Sequence, residues 1–160
     1  MANFTATIRW RRNGAAFSDN RYSRAHTWSF DGGAQIPGSS SPHVVPVPYS
    51  DSAAVDPEEA FVASLSSCHM LWFLDLAGRR GYVVESYDDA AEGVMRRDAA
   101  GKMAVTRVTL RPHVAFVGQA PDDETHRALH EEAHHECFIA NSVKTEIVCE
   151  PTLLESETGR

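Results

Sequence analysis

Phe4, Ala6, Ile8 and Trp10 alternate with Thr5, Thr7, Arg9 and Arg11, the period-two pattern of a half-buried strand. Asn13-Gly14 then predicts a tight turn. His26 to Phe30 reads as a second strand, closed by Asp31-Gly32-Gly33. From Pro37 to Pro48 the chain holds four prolines and three consecutive serines. That stretch predicts a long surface loop outside sheet and helix, of a length that usually serves function. Asp56-Pro57-Glu58-Glu59 predicts a helix start, with Asp at the cap, Pro in the first turn and carboxylates where the macrodipole favours them. The helix is expected to run to Arg79 or Arg80 and stop at Gly81. Phe61, Val62, Leu65 and the run Met70 to Leu74 make it apolar nearly all round, so it is a core helix that needs cover on several sides. One small sheet covers it poorly, and a partner subunit is the expected source of the rest.

Tyr82 to Met95 and Met103 to Val117 read as the two arms of a long hairpin turning at residues 97–101. Pro121 to Glu124 opens a second helix, polar and His-rich, that ends near Cys137. Val143 to Val148 alternates as a last strand, and the tail from Glu155 is expected to fray. Strands, a long helix, a strand pair, a helix and a strand give an α+β arrangement. At 160 residues it forms one domain, residues 1–160. The expectation is antiparallel sheets wrapped around the long buried helix.

Composition narrows the function. Hydrophobic residues at 42% and charged residues at 23% fit an ordinary globular protein. A formal net charge of −7 disfavours a phosphate backbone as partner, so no nucleic acid is expected. The apolar run Met70 to Leu74 is far short of the ~20 residues of a membrane span. The first residues carry no basic stretch leading into an apolar one, so neither a secretory signal nor a membrane is expected and the location is cytoplasmic. Three cysteines, an odd number, argue for thiol or metal chemistry over a disulfide framework.

Cys68 lies in the long helix within Ser66-Ser67-Cys68-His69, and Cys137 at the end of the second helix in Cys137-Phe138-Ile139-Ala140-Asn141-Ser142. A buried cysteine is commonly a small hydrophobe, but the hydroxyl-rich company of Cys68 in an apolar helix calls for a reason. A thiol attacks only as thiolate, and burial opposes ionisation, so a cation is needed nearby. Arg9, Arg11, Arg12, Arg21 and Arg24 are the available sources. His126, His130 and His134 share one helix face at four-residue spacing, with His135 and Cys137 adjacent. Such spacing can clasp a zinc ion, but among Arg127, Glu131, Glu132 and Glu136 it reads as a solvent-facing polar stripe. No metal and no cofactor is expected. Cys149 reads as structural.

Asp-Pro-Glu-Glu at 56–59, Ser-Leu-Ser-Ser-Cys-His-Met at 64–70 and Cys-Phe-Ile-Ala-Asn-Ser at 137–142 together resemble the OsmC/Ohr family, the osmotically inducible and organic hydroperoxide-resistance proteins. The resemblance spans roughly residues 22–151. It implies an intertwined homodimer and a cysteine-based peroxidase acting on organic hydroperoxides, with Cys68 as the peroxidatic thiol, Cys137 as the resolving thiol and Glu58 as the partner of a catalytic arginine. Arg24 is the chosen arginine, with Arg21 behind it. It also implies an external dithiol reductant, of which a lipoylated protein is one source. Cys137 is followed by Phe-Ile where the family pattern has a proline. The alternatives are a non-enzymatic stress-related binding protein with structurally buried cysteines, or a His/Cys metal-binding protein. Glu58 and Cys68 are ten residues apart on one expected helix, about 15 Å of axial rise. Antiparallel packing of two such helices would bring Glu58 of one chain toward Cys68 of the other.

Overall fold

Asp56 and Glu59 close the start of the long helix on each other. The Glu59 N–H donates to Asp56 Oδ1 at 2.8 Å and the Asp56 N–H donates to Glu59 Oε2 at 3.1 Å, a reciprocal capping box. The helix, α1, runs unbroken over Pro57–Arg79. Gly81 takes φ 82°, and the Tyr82 N–H bonds back to the Ala77 carbonyl at 3.0 Å, so the chain turns off α1 at the expected residue. The computed structural model describes residues 1–154, and the predicted frayed tail lies outside them. The chain divides into two compact units, Met1–Ala60 and Phe61–Arg160.

The first unit holds an antiparallel sheet in the order β1 (Ala6–Arg9), β2 (His26–Phe30), β3 (Gln35–Gly38). Asn13 and Gly14 both take positive φ, 50° and 78°, in the predicted turn. Two expectations are corrected. The alternation in β1 predicts one buried face, yet all four residues are exposed in the chain. Pro37 and Gly38 belong to β3 and not to a loop, because an edge strand tolerates a residue without an N–H. The loop that follows is also less superficial than its composition suggests: Ser39, Ser41 and Ser50 are buried, and Ser39 Oγ accepts the Asp51 N–H at 2.9 Å.

In the second unit the predicted hairpin is present but bent into two sheets. β4 (Val83–Asp89) pairs antiparallel with β7 (Pro112–Val117), and β5 (Glu92–Arg97) with β6 (Met103–Leu110). Asp89 stands opposite Pro112 and Glu92 opposite Thr109, so the register carries through the break. β8 (Glu146–Cys149) adds parallel to β6, and β9 (Thr152–Leu153) parallel to β7. The sheets are therefore mixed, not purely antiparallel, and the last predicted strand starts three residues late, at Glu146, after a 3-10 turn at Ala140–Ser142. α2 (Asp123–Glu136) starts on Asp122, whose side chain accepts the Thr125 N–H at 2.7 Å.

α1 serves two apolar clusters. Its first half packs Leu65 with Val108 and Leu110 of β6, and its second half packs Phe73, Leu76 and Ala77 with Val114, Phe116, Leu129 and Ala133. By length and composition α1 could cross a membrane, but its acidic start and its buried Leu65, His69, Phe73, Leu76 and Ala77 make it a core helix of this chain. Leu71 remains 60% exposed and Leu74 36%, so this outer face of α1 is uncovered in the chain. Gly93 in β5 sets the approach of α1, since a Cβ there would meet Val62 Cγ2 at 2.5 Å. Gly93→Ala is expected to cost about 1–3 kcal/mol by overpacking, a fall of roughly 3–10 °C in Tm. A thermal melt unchanged within a degree would contradict this close approach.

Candidate active site

Cys68 faces outward from the middle of α1, partly exposed, while Cys137 is buried at 1% exposure where α2 ends. Cys137 leaves the helix with φ −64° and ψ 110°, and the residues after it tie themselves into a tight turn. Its carbonyl accepts the Asn141 N–H at 3.0 Å, Asn141 Nδ2 donates to the His135 carbonyl at 3.0 Å, and Ser142 Oγ donates to the Phe138 carbonyl at 2.6 Å. This is the physical content of the Ala-Asn-Ser sequence: its side chains cap α2 and hold the Cys137 sulfur in place, with the Ala140 N–H on it at 3.4 Å. The two thiols are free, and Cys68 is near enough to Cys137 to act on its ionisation. Burial pushes the Cys137 thiol up to about 11; the contact with Cys68 adds to the rise and the Ala140 N–H opposes it. Cys137 thus keeps its proton at neutral pH, and Cys68 is the thiol open to solvent.

Beside Cys68 lies an apolar hollow of about 520 Å³, walled by Leu71, Trp72, Phe138 and Ile139, with Ser64 and Ser67 along α1. Trp72 and Phe138 meet edge to face at 5.4 Å between ring centroids, joining the helix to the Cys137 turn. Such a wall has the shape and polarity to take an apolar group next to a sulfur.

Arg24 and Glu58 line a second hollow, of about 440 Å³, within the first unit. The Arg24 guanidinium lies over the Tyr22 ring at 3.9 Å and donates to the Asn20 and Tyr22 carbonyls at 2.7 and 2.5 Å. The Arg24 N–H bonds the Tyr49 carbonyl at 2.8 Å, which ties the segment before β2 to the end of the proline-rich loop. Trp28 Nε1 donates to His26 Nε2 at 2.6 Å, leaving His26 Nδ1 to donate to the Arg24 carbonyl at 2.7 Å. Arg24 is therefore fixed at backbone and head, whereas Arg21 is exposed. Glu58 shares the hollow with Arg24, but among the described residues the two form no ion pair.

The histidines depart from the sequence reading. His126 and His130 do not face solvent; both are 2% exposed, as His69 is at 1%. His69 Nε2 and His130 Nδ1 are 2.9 Å apart, His130 Nε2 and His126 Nε2 3.2 Å, and Cys149 Sγ lies 3.8 Å from His69 Nε2. Cys149 is thus not an isolated structural thiol. Burial holds His69 down near 4 and His130 near 2, so both are neutral, and pushes Cys149 up to about 12. Four-residue spacing disclosed that His126 and His130 share a face, but not that the face points inward, and nothing local linked them to His69 or Cys149.

Residues 50–152 match the OsmC-like protein family. Among solved structures, an OsmC-like protein of unknown function from Vibrio cholerae is 55% identical with a TM-score of 0.93, covering 95% of this chain and 100% of its own. An organic hydroperoxide resistance protein from Elizabethkingia anophelis is similar at 16% identity and TM-score 0.66, covering 98% of each chain. Another, from Legionella pneumophila, is similar at 14% identity and TM-score 0.63, covering 97% of this chain and 98% of its own. No match is found among curated protein sequences. At those lower identities the likeness is one of fold. The family match spans well over half the chain and takes in α1, both candidate cysteines and the bent hairpin, and the chain belongs to the OsmC-like family.

Proposed function

We propose that this protein is a thiol peroxidase for organic hydroperoxides, a homodimer reduced by an external dithiol in the cytoplasm. The observation that carries the reading is partly exposed Cys68 beside an apolar hollow that it shares with Phe138 and Ile139, the residues that follow buried, protonated Cys137. Cys68 as thiolate attacks the outer peroxide oxygen, the O–O bond breaks, and the departing alkoxide takes up a proton to leave as the alcohol. Cys68 is then a sulfenic acid. The Cys137 sulfur attacks it, the Cys137 proton and the sulfenic hydroxyl leave as water, and a Cys68–Cys137 disulfide forms. An external dithiol, of which a lipoylated protein is one source, restores both thiols by exchange. The family's hydroperoxide-resistance members support the substrate class, and the Trp72–Phe138 wall supports an organic tail over hydrogen peroxide.

The cation for Cys68 is assigned to Arg24 with Glu58, and to the opposite protomer. α1 is unbroken from Pro57 to Arg79, so ten residues of helix put about 15 Å of rise between Glu58 and Cys68. A two-fold contact through the exposed Leu71 and Leu74 would cover the outer face of α1 and generate two equivalent sites.

Two outcomes follow. Cys137→Ser is expected to complete one fast turnover and then stall, with Cys68 passing on to sulfinic acid under excess peroxide; sustained wild-type turnover with dithiothreitol would remove Cys137 from the mechanism. Arg24→Ala is expected to slow peroxide attack by orders of magnitude while Arg21→Ala does not, and mixing Arg24→Ala with Cys68→Ser protomers under subunit exchange is expected to restore activity. Absence of recovery despite exchange proven by mass spectrometry would place Arg24 and Cys68 in one chain's site.

A further inference from the structure

We propose that His69, His130 and Cys149 form a buried His₂Cys site for a zinc-class ion, separate from the Cys68–Cys137 pair. Three elements deliver the donors: His69 from α1, His130 from α2 and Cys149 from the end of β8. One donor atom from each lies within 4.8 Å of the other two. Zinc with imidazole and thiolate bonds of about 2.0 and 2.3 Å separates two nitrogens by roughly 3.3 Å and a nitrogen from sulfur by roughly 3.6 Å at tetrahedral angles. The observed 2.9 Å and 3.8 Å are within a few tenths of an ångström of that geometry. The ion takes the place of the proton now between the two ring nitrogens, and that proton moves to the outer nitrogen of its own ring, so both imidazoles stay neutral.

The surroundings fit a cation better than an apolar core. His69 Nδ1 and Tyr87 Oη are buried without a hydrogen-bond partner, so the core around the three donors is polar, and Nδ1 is free to carry the ring proton when Nε2 ligates. His130 Nε2 is engaged by His126, the outer contact that orients a ligating imidazole and leaves its other nitrogen free. Asp89, whose charge acts on His69, Tyr87 and Cys149, is pinned by Ser66 Oγ at 2.5 Å and the Arg111 N–H at 2.7 Å. A divalent ion with the Cys149 thiolate and the Asp89 carboxylate is electrically neutral, which a buried site requires. Binding releases one proton, that of the Cys149 thiol, while the imidazoles bind neutral.

Cobalt(II) titrated into reduced, untagged protein tests the site, followed by displacement with zinc. The expected result is one ion per chain, tetrahedral d–d bands and a sulfur-to-cobalt charge-transfer band. Cys149→Ser should lose the charge-transfer band and bind at least tenfold more weakly, and Cys68→Ser/Cys137→Ser should bind as wild type. Zinc should also slow alkylation of Cys149 in the wild-type protein, a readout that does not depend on whether Cys149→Ser folds. Wild-type protein that takes up no cobalt at micromolar concentration, or binding that follows Cys68 and Cys137 instead of Cys149, would overturn the proposal.

Discussion

A helix packed into two apolar clusters must also leave one thiol, Cys68, open to solvent, and the proposed peroxide chemistry depends on that constraint. Cys68 lies between the α1 residues that feed the two clusters, Leu65 and Phe73. It is partly exposed because its side of α1 faces the turn that follows α2. Cys137 reaches the same place from the other side, and the hydrogen bonds of Asn141 and Ser142 keep it there. If the turn loosened, the two sulfurs would separate and a sulfenic acid on Cys68 would have no neighbour.

On its inner side α1 presents His69, one residue along from Cys68, to His130 and Cys149. Burial costs free energy for each polar group left without a partner. The imidazoles meet part of that cost by bonding to one another as neutral rings, with Phe73 stacked on His130 at 4.1 Å and His69 Nδ1 left without a partner. One helix turn thus presents two sulfur environments: the partly exposed Cys68 thiol on one side, and the Cys149 thiol held protonated among histidines on the other.

Features fixed by neighbours in sequence were legible. The Asp56–Glu59 cap, the Gly81 stop, the Asn13-Gly14 turn and the hairpin depend on residues a few positions apart, and the structure has all of them. β3 was missed because Pro37 argues against a strand unless the strand is known to be an edge. The parallel additions of β8 and β9 were missed because parallel partners carry no local turn signal. Cys149 reaches the histidines through its pairing opposite Leu110, a register that spacing does not encode. The inward face of α2 was misread for the same reason: Arg127, Glu131 and Glu132 mark the wet side, but His126 and His130 are as compatible with either. The candidate thiols were legible through family resemblance rather than spacing.

The account turns on whether Cys68 and Cys137 form a bond when peroxide arrives. Reduced protein given one equivalent of an organic hydroperoxide, then treated with an alkylating agent under denaturing conditions, can be read by intact mass. The account predicts that two of the three thiols in each chain disappear together, that the lost pair maps to a Cys68–Cys137 peptide, and that Cys68→Ser keeps both of its remaining thiols. Three alkylated thiols in the wild-type chain after peroxide treatment would contradict it.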